Sequence, residues 1–305
     1  DTDYTISKGV TRFTNAATGR TVHCEITNGT YPALTISTTN IELAGMPQNV
    51  VGEFTTPTGN QTVSLSLAAA HNNSSIYIDW AGDGNITEYL LKDTYTLFSA
   101  KTTAGARVKV YSYDTESDLT VFSVTGAKMK DVDLSGMTQL TCLNLSNAGI
   151  SELVMPKSDT LAELLLIGNN FTSFNFADYP GLKSVNFDNN KFTSIDVTPL
   201  TNLQVLNFSH NALTDVKIDN PQLWSIFLND NKLESIDLSK APSAYQVLLS
   251  SNSLHEIDLD DLKDLHVVYL DYNKFDFTTM PLPRSQWTVY YYANQARLDA
   301  KLVDG

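Results

Sequence analysis

The chain has few cysteines and few basic residues. Two cysteines in 305 residues, Cys24 and Cys142, are too few for a disulfide framework. They lie far apart in the sequence, so we expect two free thiols rather than a bond between them. The 20 Lys and Arg residues stand against 34 Asp and Glu residues, which gives a net charge of -14 without any basic run. Nucleic-acid binding is therefore not expected, because that affinity depends on basic side chains that displace counterions from phosphates.

The sequence also lacks a membrane segment and the common signatures of catalysis. No apolar run approaches the roughly 20 residues of a membrane-spanning helix. The chain starts at Asp1 with neither Met nor a signal peptide, which is typical of a processed or trimmed chain. The five histidines stand at no metal-ligand spacing, and no phosphate loop, nucleophile elbow or Cys–His pair is present. We therefore predict a protein that is not an enzyme and that holds neither a metal nor a cofactor.

A repeat of about 21 residues runs through the C-terminal two thirds of the chain. Its clearest copy places apolar residues at Leu161, Leu164, Leu166 and Phe171, with Asn169 before the last of them. Nine copies, called coils 1 to 9, begin at Leu119, Leu140, Leu161, Leu182, Leu203, Leu223, Ala244, Leu265 and Trp287. A fixed period of this length predicts a solenoid, in which each coil buries its apolar face against its neighbours.

Each coil contains two short segments that alternate between apolar and polar residues. The fourth and sixth positions of the repeat alternate with polar ones, which predicts a strand with one buried face and, after stacking, a parallel concave sheet. The return limbs, such as Ile195–Val197 and Ile236–Leu238, are too short and too β-branched for helices. We expect short strands or extended segments on the convex side, with turns near Pro199, Pro221 and Pro242.

An asparagine column occupies the ninth position of the repeat, at Asn169, Asn190, Asn211, Asn231, Asn252 and Asn273. A side-chain amide there can pair buried backbone groups, so we interpret the column as structural. Ala127, Ala148 and Gln295 replace the asparagine near the two ends, where capping coils are expected to be atypical. The return limbs also carry an acidic row, which we expect to be solvated rather than to bind cations: Asp133, Asp196, Asp237 and Asp258.

The repeat phrase resembles the leucine-rich repeat. Its 21-residue form with an Ile-Asp-Leu-Ser limb at Ile236–Ser239 is similar to bacterial repeat proteins, particularly those of Bacteroidetes, and more loosely to the internalins. The resemblance covers roughly residues 115–295. It implies adhesion or binding to a protein, such as one of a host or neighbouring cell, and no reaction. The Thr-, Ser- and Asn-rich composition is typical of an exported bacterial protein, so we expect an extracellular or cell-surface location, with a lipid anchor in the precursor as one means of attachment.

Residues 1–112 lack the repeat and contain short alternating segments separated by Gly, Asn and Thr, which predict a β-sandwich. Asp79–Asn85 resembles the Trp-Gly-Asp-Gly hairpin of PKD-like immunoglobulin-fold domains, with Ala81 inserted. The predicted organisation is mostly β: a sandwich over 1–112 that caps a leucine-rich repeat domain over 113–305, with about nine coils and a C-terminal cap. Whether residues 1–50 complete the sandwich or form a separate unit stays open.

Three oxygen-bearing side chains in the hairpin, Asp79, Asp83 and Asn85, are candidate calcium ligands. They lack the complete loop and the bidentate Glu of a dedicated calcium site. A turn stabilised by polar side chains is the expected structure, because Asp and Asn bond their own backbone and the Asp83-Gly84 pair suits a hairpin.

The outward columns of the predicted concave sheet change from polar to aromatic along the solenoid. Coils 4 and 5 carry polar residues there: Lys183, Ser184, Asn186, Asp188, Gln204, Asn207 and Ser209. The later coils carry an aromatic patch, defined as Trp224, Phe227, Tyr245, Leu248, His266, Tyr269, Tyr272 and Tyr291. Folding needs no exposed rings, and rigid aromatic side chains are typical of interface hot spots. We predict that the patch binds a protein partner.

Two alternatives to a protein partner remain. Aromatic faces also stack on sugar rings, so a glycan ligand is the second hypothesis. Large exposed apolar patches are uncommon on monomers. A second copy of the chain, or the tail with Leu298, Leu302 and Val303, would then cover the rings.

Overall fold

The computed structural model describes residues 49–57, 59, 61–112 and 118–296 in full, together with the backbone of six short strands within residues 4–42. Cys24 and the tail residues Leu298, Leu302 and Val303 lie outside the described residues. The six strands form three antiparallel pairs, β1 with β2, β3 with β6 and β4 with β5. Their bounds are Tyr4–Ser7, Val10–Phe13, Thr21–Val22, Glu25–Asn28, Tyr31–Ser37 and Ile41–Glu42 for β1 to β6.

Two sheets follow over residues 49–133. Five antiparallel strands form one sheet in the order β10-β9-β12-β7-β14, and β11-β8-β13 begin a second sheet. Inward side chains of both sheets, including Phe54, Leu65, Val108 and Phe122, belong to one continuous apolar core. The bounds of β7 to β14 are Asn49–Thr55, Gln61–Ala69, Ser74–Asp79, Ile86–Leu91, Thr96–Thr102, Arg107–Ser112, Leu119–Thr125 and Lys130–Asp133.

The second sheet continues without interruption into a solenoid. Strand β13 pairs antiparallel with β8 on one side and parallel with β15 on the other. Seven further parallel strands extend the sheet to eleven, which confirms the predicted β-solenoid with a parallel concave sheet. The concave strands are β15 (Cys142–Asn144), β16 (Glu163–Leu165), β17 (Ser184–Asn186), β19 (Val205–Asn207), β21 (Ser225–Phe227), β22 (Gln246–Leu248), β23 (Val267–Tyr269) and β24 (Val289–Tyr291).

The convex side is only partly paired. Strand β18 (Ser194–Asp196) pairs in parallel with β20 (Asp215–Lys217), and Asp133 forms an isolated parallel bridge with Val154. The limbs of coils 6 and 7 are extended without ladder pairing in the described residues. Turns occupy all three predicted proline positions. The helical content over the described residues is a single 3-10 turn, Phe176–Asp178, and no helix there is long and apolar enough to cross a membrane.

Phenylalanine rings fill the core of coils 3 to 5. Phe187 and Phe208 are fully buried and stack with their ring centroids 5.1 Å apart. Phe192 meets both rings edge-on at 5.2 and 5.1 Å, and Phe176 adds a further contact with Phe187. Each such ring contributes roughly 1.5–3 kcal/mol through burial alone. The rings join successive coils, because Phe187 of coil 4 contacts a ring of coil 3 on one side and a ring of coil 5 on the other.

The asparagine column forms a hydrogen-bonded ladder. Asn231 illustrates it: Nδ2 donates to the carbonyls of Phe208 at 2.9 Å and Leu228 at 3.1 Å, and Oδ1 accepts from the N–H of Leu213 at 2.9 Å. The other five asparagines repeat this pattern, each joining its own coil to the preceding one. We call this set the Asn ladder. The predicted structural role is confirmed.

Other side chains replace the ladder at its ends. Gln295 donates from Nε2 to the carbonyl of Leu270 at 2.9 Å and accepts the N–H of Phe275. Its longer side chain therefore makes the same type of hydrogen bonds as the ladder asparagines. In coil 1, where Ala127 stands in the column, Gln61 of β8 accepts the N–H of Lys128 and donates to its carbonyl. An N-terminal strand therefore supplies the polar contacts of the first coil.

The residue before each ladder position has a left-handed backbone conformation, with φ between 52° and 74° in all nine coils. These residues are Gly126, Asn147, Gly168, Asn189, His210, Asp230, Ser251, Tyr272 and Asn294. Gly, Asn and Asp adopt this conformation most readily, and they fill six of the nine positions. The left-handed residue turns the chain off the concave strand and directs the next side chain into the ladder.

Replacing one ladder residue tests its contribution to stability. We expect Asn231→Ala to lower the free energy of unfolding by about 2–4 kcal/mol, because one buried N–H and two carbonyls lose their partner. Urea denaturation measures the change. Asn202→Ala is the matched control, since Asn202 is exposed and its single contact with the carbonyl of Pro180 spans 3.5 Å. Equal losses in the two variants would contradict the structural role of the ladder.

Candidate functional site

The structure places all eight residues of the aromatic patch on the concave face of coils 6 to 9. Phe227, Leu248, Tyr269 and Tyr291 are direct register partners across β21, β22, β23 and β24. Trp224, Tyr245 and His266 form a second column, each immediately before its strand. Tyr272 follows β23 at the left-handed position of coil 8. Two columns that are polar in coils 4 and 5 are thus lined mainly by rings in the later coils.

Half of the aromatic patch is open to solvent. The exposed fraction is 56% for Tyr272, 54% for Tyr291, 44% for Trp224 and 41% for Tyr245. The other four side chains, Phe227, Leu248, His266 and Tyr269, are partly buried. Two of these four, His266 and Tyr269, each stack on a neighbouring ring of the patch. The patch therefore combines exposed side chains with packed ones.

Rings of successive coils stack on one another. Tyr245 and His266 lie 4.7 Å apart at an interplanar angle of 15°, and Tyr269 and Tyr291 lie 4.7 Å apart at 27°. These spacings match the distance of about 4.8 Å between neighbouring strands. Nδ1 of His266 lies 2.7 Å from the carbonyl of Asp264, which orients the ring and requires Nδ1 to donate. The rings are fixed before any ligand arrives, which lowers the entropy cost of binding.

The polar half of the concave face is bonded to itself. Asn144, Asn186 and Asn207 each accept, at 3.0 Å, the backbone N–H two residues further along. His210 lies between two carboxylates, with Nδ1 2.7 Å from Asp188 and Nε2 3.2 Å from Asp230. Because these groups already have partners, they offer fewer free contacts to a ligand than the aromatic half does.

The last described coil carries rings at positions that hold core residues in the other coils, so the repeat does not predict them to be exposed. Tyr290 stacks on Tyr292 with ring centroids 4.9 Å apart, and it meets Trp287 at a tilt of 58° with centroids 4.9 Å apart. The guanidinium of Arg284 lies 5.5 Å from the centre of the Trp287 ring. The Tyr290 hydroxyl donates to the carbonyl of Pro281, and burial raises the pKa of Tyr290 to about 12. Tyr292 is 54% exposed. The repeat assigns these rings to the core, and in the described residues no further coil covers them.

The candidate calcium ligands form a turn. Asp79 is buried, and its two carboxylate oxygens accept the N–H groups of Gly82 at 2.7 Å and Gly84 at 2.9 Å. Asp83 accepts the backbone and side-chain N–H groups of Asn85. The predicted polar turn is confirmed. Over the residues that the structure describes, no group of three or more His, Cys, Asp and Glu side chains is placed to hold a metal ion.

Cys142 is an unpaired thiol on the concave face of coil 2. Its Sγ lies 3.3 Å from Oε2 of Glu163, to which it donates. Burial, reinforced by the hydrogen bond and the charge of Glu163, raises the pKa of Cys142 to about 12. A thiol with this pKa is almost entirely protonated at neutral pH and is a poor nucleophile.

No family model matches the sequence, and no curated protein matches it. Among solved structures, the chain is similar to the functional domain of InlJ from Listeria monocytogenes, with 22% identity and a TM-score of 0.49 over 60% of this chain and 46% of that one. It is also similar to a leucine-rich repeat protein of Leptospira interrogans, with 21% identity and a TM-score of 0.42 over 48% of this chain and 46% of that one. A third similar structure is the leucine-rich repeat domain of APL1B, with 24% identity and a TM-score of 0.45 over 52% of this chain and 49% of that one. The chain spans less than half the length of each of these structures.

Tyr272 combines an exposed ring with an unfavourable backbone. Its φ is 57°, a conformation that costs an ordinary L-residue about 1–2 kcal/mol. The corresponding positions of coils 2, 4 and 9 are asparagines, which adopt this conformation more readily. Strained residues that persist on a surface point to a role other than stability.

Relieving this strain gives a prediction about stability. Tyr272→Asn is expected to raise the free energy of unfolding by about 1 kcal/mol, because Asn tolerates the left-handed conformation and the lost ring is largely exposed. Urea denaturation measures the gain. Tyr291→Asn is the matched control, since it removes a similarly exposed ring from β24 without relieving a positive φ. A loss of stability in Tyr272→Asn would show that the ring packs more tightly than its exposure indicates.

The raised pKa of Cys142 predicts slow alkylation. At pH 8 its thiolate fraction is roughly a thousandfold below that of an ordinary thiol with a pKa of about 8.5. Below pH 12 we expect the iodoacetamide rate at Cys142 to rise about tenfold per pH unit, and Glu163→Gln to speed it by lowering the pKa. Mass spectrometry of the peptide that contains Cys142 follows the reaction. Alkylation as fast as in the urea-unfolded chain would contradict this environment.

Proposed function

We propose that this chain is a non-enzymatic, exported or cell-surface binding protein that recognises a protein partner through the aromatic patch. The observation that carries the proposal is the change along the concave columns. The same positions hold polar side chains in coils 4 and 5, where Asn186 and Asn207 bond their own backbone. They hold mainly rings in coils 6 to 9, and the rings of coils 7 to 9 stack in pairs. The inward positions already supply a continuous core, so the fold does not require these rings.

The energetics favour a protein interface. Tyr and Trp bring large contact areas with few rotatable bonds, and they dominate hot spots at interface centres. Here the sheet holds the rings in register, and stacking fixes Tyr245 and Tyr269 against their neighbours. A partner that covers the patch therefore gains apolar burial without first ordering the surface.

Stacking geometry weighs against the alternative of a glycan ligand. Sugars bind aromatic side chains by covering a free ring face. In the pairs Tyr245–His266 and Tyr269–Tyr291, one face of each ring is already covered by the neighbour. Trp224 makes no such ring contact in the described part of the chain. It is the residue on which a sugar would stack, so a glycan remains the second candidate.

Self-association is the third candidate and is disfavoured by charge. Two copies of a chain with a net charge of -14 repel each other at moderate ionic strength. A dimer forms only if the free energy gained by burying the patch exceeds this repulsion. A sedimentation measurement of the purified chain distinguishes this candidate from the other two.

We further propose that the two sheets of residues 49–133 form a β-sandwich of the PKD-like, immunoglobulin-like kind that caps the solenoid. Close contact at coil 1 supports this: the Gly136 N–H donates to the carbonyl of Val51 at 3.1 Å. A Cβ atom on Gly136 would lie 2.6 Å from the Cα of Val51, so only glycine fits. The sandwich and the solenoid then share strands across the predicted boundary at residue 112, because β13 pairs with β8 and β14 pairs with β7.

The proposed binding function is tested with a double variant. We expect Trp224→Ala/Tyr269→Ala to abolish capture of a partner while the far-ultraviolet circular dichroism stays unchanged, because the patch lies outside the core. Capture from host and neighbouring-cell extracts is compared with binding to a glycan array. Phe277→Ala is the control, since that ring is fully exposed and lies outside the patch.

A protein retained by the wild type and Phe277→Ala but lost with the double variant supports the proposal. Binding of a purified partner that is equal in all three proteins would refute it. Retention of a glycan alone, lost with the double variant, would favour the carbohydrate alternative.

A further inference from the structure

A groove of about 810 Å³ opens on the convex side, opposite the aromatic patch. The return limbs of coils 6 and 7 and the loop Pro281–Arg284 line it. Ile236, Ile257 and Leu282 contribute apolar surface to it, and Leu282 is 83% exposed. The proposed function of the concave face does not involve this groove.

The groove exists because convex pairing stops after coil 5. In coils 4 and 5 the return limbs pair as β18 and β20. In the described part of the chain, the backbone N–H groups of Ile236 and Ile257, at the equivalent positions, have no hydrogen-bond partner. Beyond them the chain presents Pro281 and Pro283, which have no N–H to donate. Two extended segments are therefore left with backbone groups open to an added strand.

The charge around the groove is acidic. Four exposed carboxylates line it, those of Asp237, Glu256, Asp258 and Asp260, against the single guanidinium of Arg284. Arg284 pairs with Asp260 at 2.6 Å. Two lysines lie nearby: Lys240 interacts with the charge of Asp237, and Lys263 donates to the backbone carbonyl of Asp260. The lining itself keeps an excess of negative charge, so the complementary ligand is cationic.

We propose that this convex groove binds an extended basic peptide of a partner protein by strand addition to the return limbs of coils 6 and 7. Alternate side chains of an added strand point to opposite sides. One set packs on Ile236 and Ile257, and the other set carries Lys or Arg to the carboxylates of Asp237 and Asp258. A second copy of this chain is a poor occupant, because the chain is acidic overall.

The test uses the full chain and three fluorescein-labelled nine-residue peptides, followed by fluorescence anisotropy. The first alternates Lys and Val, the second alternates Glu and Val, and the third is the Lys–Val peptide with alternate backbone nitrogens methylated. We expect the first to bind and the second not to bind. Methylation is expected to weaken binding about tenfold, because it removes the donors of the added strand. Affinity of the first peptide should fall as salt is added.

Variants and hydrogen exchange locate the peptide. Asp237→Asn/Asp258→Asn is expected to weaken binding about fivefold, since two attractive charges are lost while Asn keeps the local turns. Asp196→Asn is the matched control: it occupies the same limb position in coil 4 and caps its turn in the same way, outside the groove. Exchange should slow in residues 234–239 and 255–260 when peptide binds, and should not change in the concave strands.

Four results would overturn the proposal. The first is the absence of binding by the Lys–Val peptide. The second is equal binding of the methylated peptide, which would show that surface charge alone, and not strand addition, holds the peptide. The third is an equal loss in Asp196→Asn, and the fourth is protection confined to the concave strands. If the groove proposal fails, the proposed function of the aromatic patch is not affected, because the Trp224→Ala/Tyr269→Ala variant tests the concave face alone.

Discussion

The pairing of buried backbone groups at each turn of the solenoid is the constraint on which the rest of the structure depends. The chain must leave the concave strand and enter the core while its amides are shielded from water, where an unpaired group costs about 1–3 kcal/mol. Each residue of the Asn ladder pairs such groups through hydrogen bonds to the backbone. Asn231, for example, donates to the carbonyls of Phe208 and Leu228 and accepts the N–H of Leu213. Because each bond set joins two coils, the ladder also fixes the spacing of the coils.

That regular spacing creates the candidate binding surface. Once the strands are in register, residues at one repeat position form a column at the strand spacing, whatever their chemistry. Asparagines in such a column bond their own backbone, as in Asn186, whereas rings stack, as in Tyr269 with Tyr291. The same concave sheet thus carries a polar half, whose side chains bond within the chain, and an aromatic half. Tyr272 places an exposed ring at a position where the backbone favours Gly or Asn, which stability does not explain.

Local pattern was enough to predict most of the solenoid. The period gave the coil count, the alternation gave the parallel sheet, and the ninth-position asparagines gave the ladder. Placement of the aromatic patch on one face also followed from the repeat. The left-handed position is visible in the sequence only as a column rich in Gly, Asn and Asp, and His210, Ser251 and Tyr272 interrupt that column.

Features that depend on distant partners could not be predicted from the sequence. Gln61 replaces the ladder in coil 1 from a strand 67 residues away, and no local pattern marks it. The pairing of β14 with β7 likewise crosses the predicted domain boundary. The convex groove arises from missing pairs between return limbs whose sequences resemble those that do pair. In each case the deciding contact lies between segments that the period treats as independent.

Hydroxyl-radical footprinting of the purified full chain, read by mass spectrometry, tests most directly whether the aromatic patch is an open surface. We expect fast oxidation of Trp224, Tyr245 and Tyr291, and slow oxidation of the buried ring of Tyr179. Oxidation of the patch residues as slow as that of Tyr179 would contradict this expectation, because a tail or a second copy would then already cover the surface.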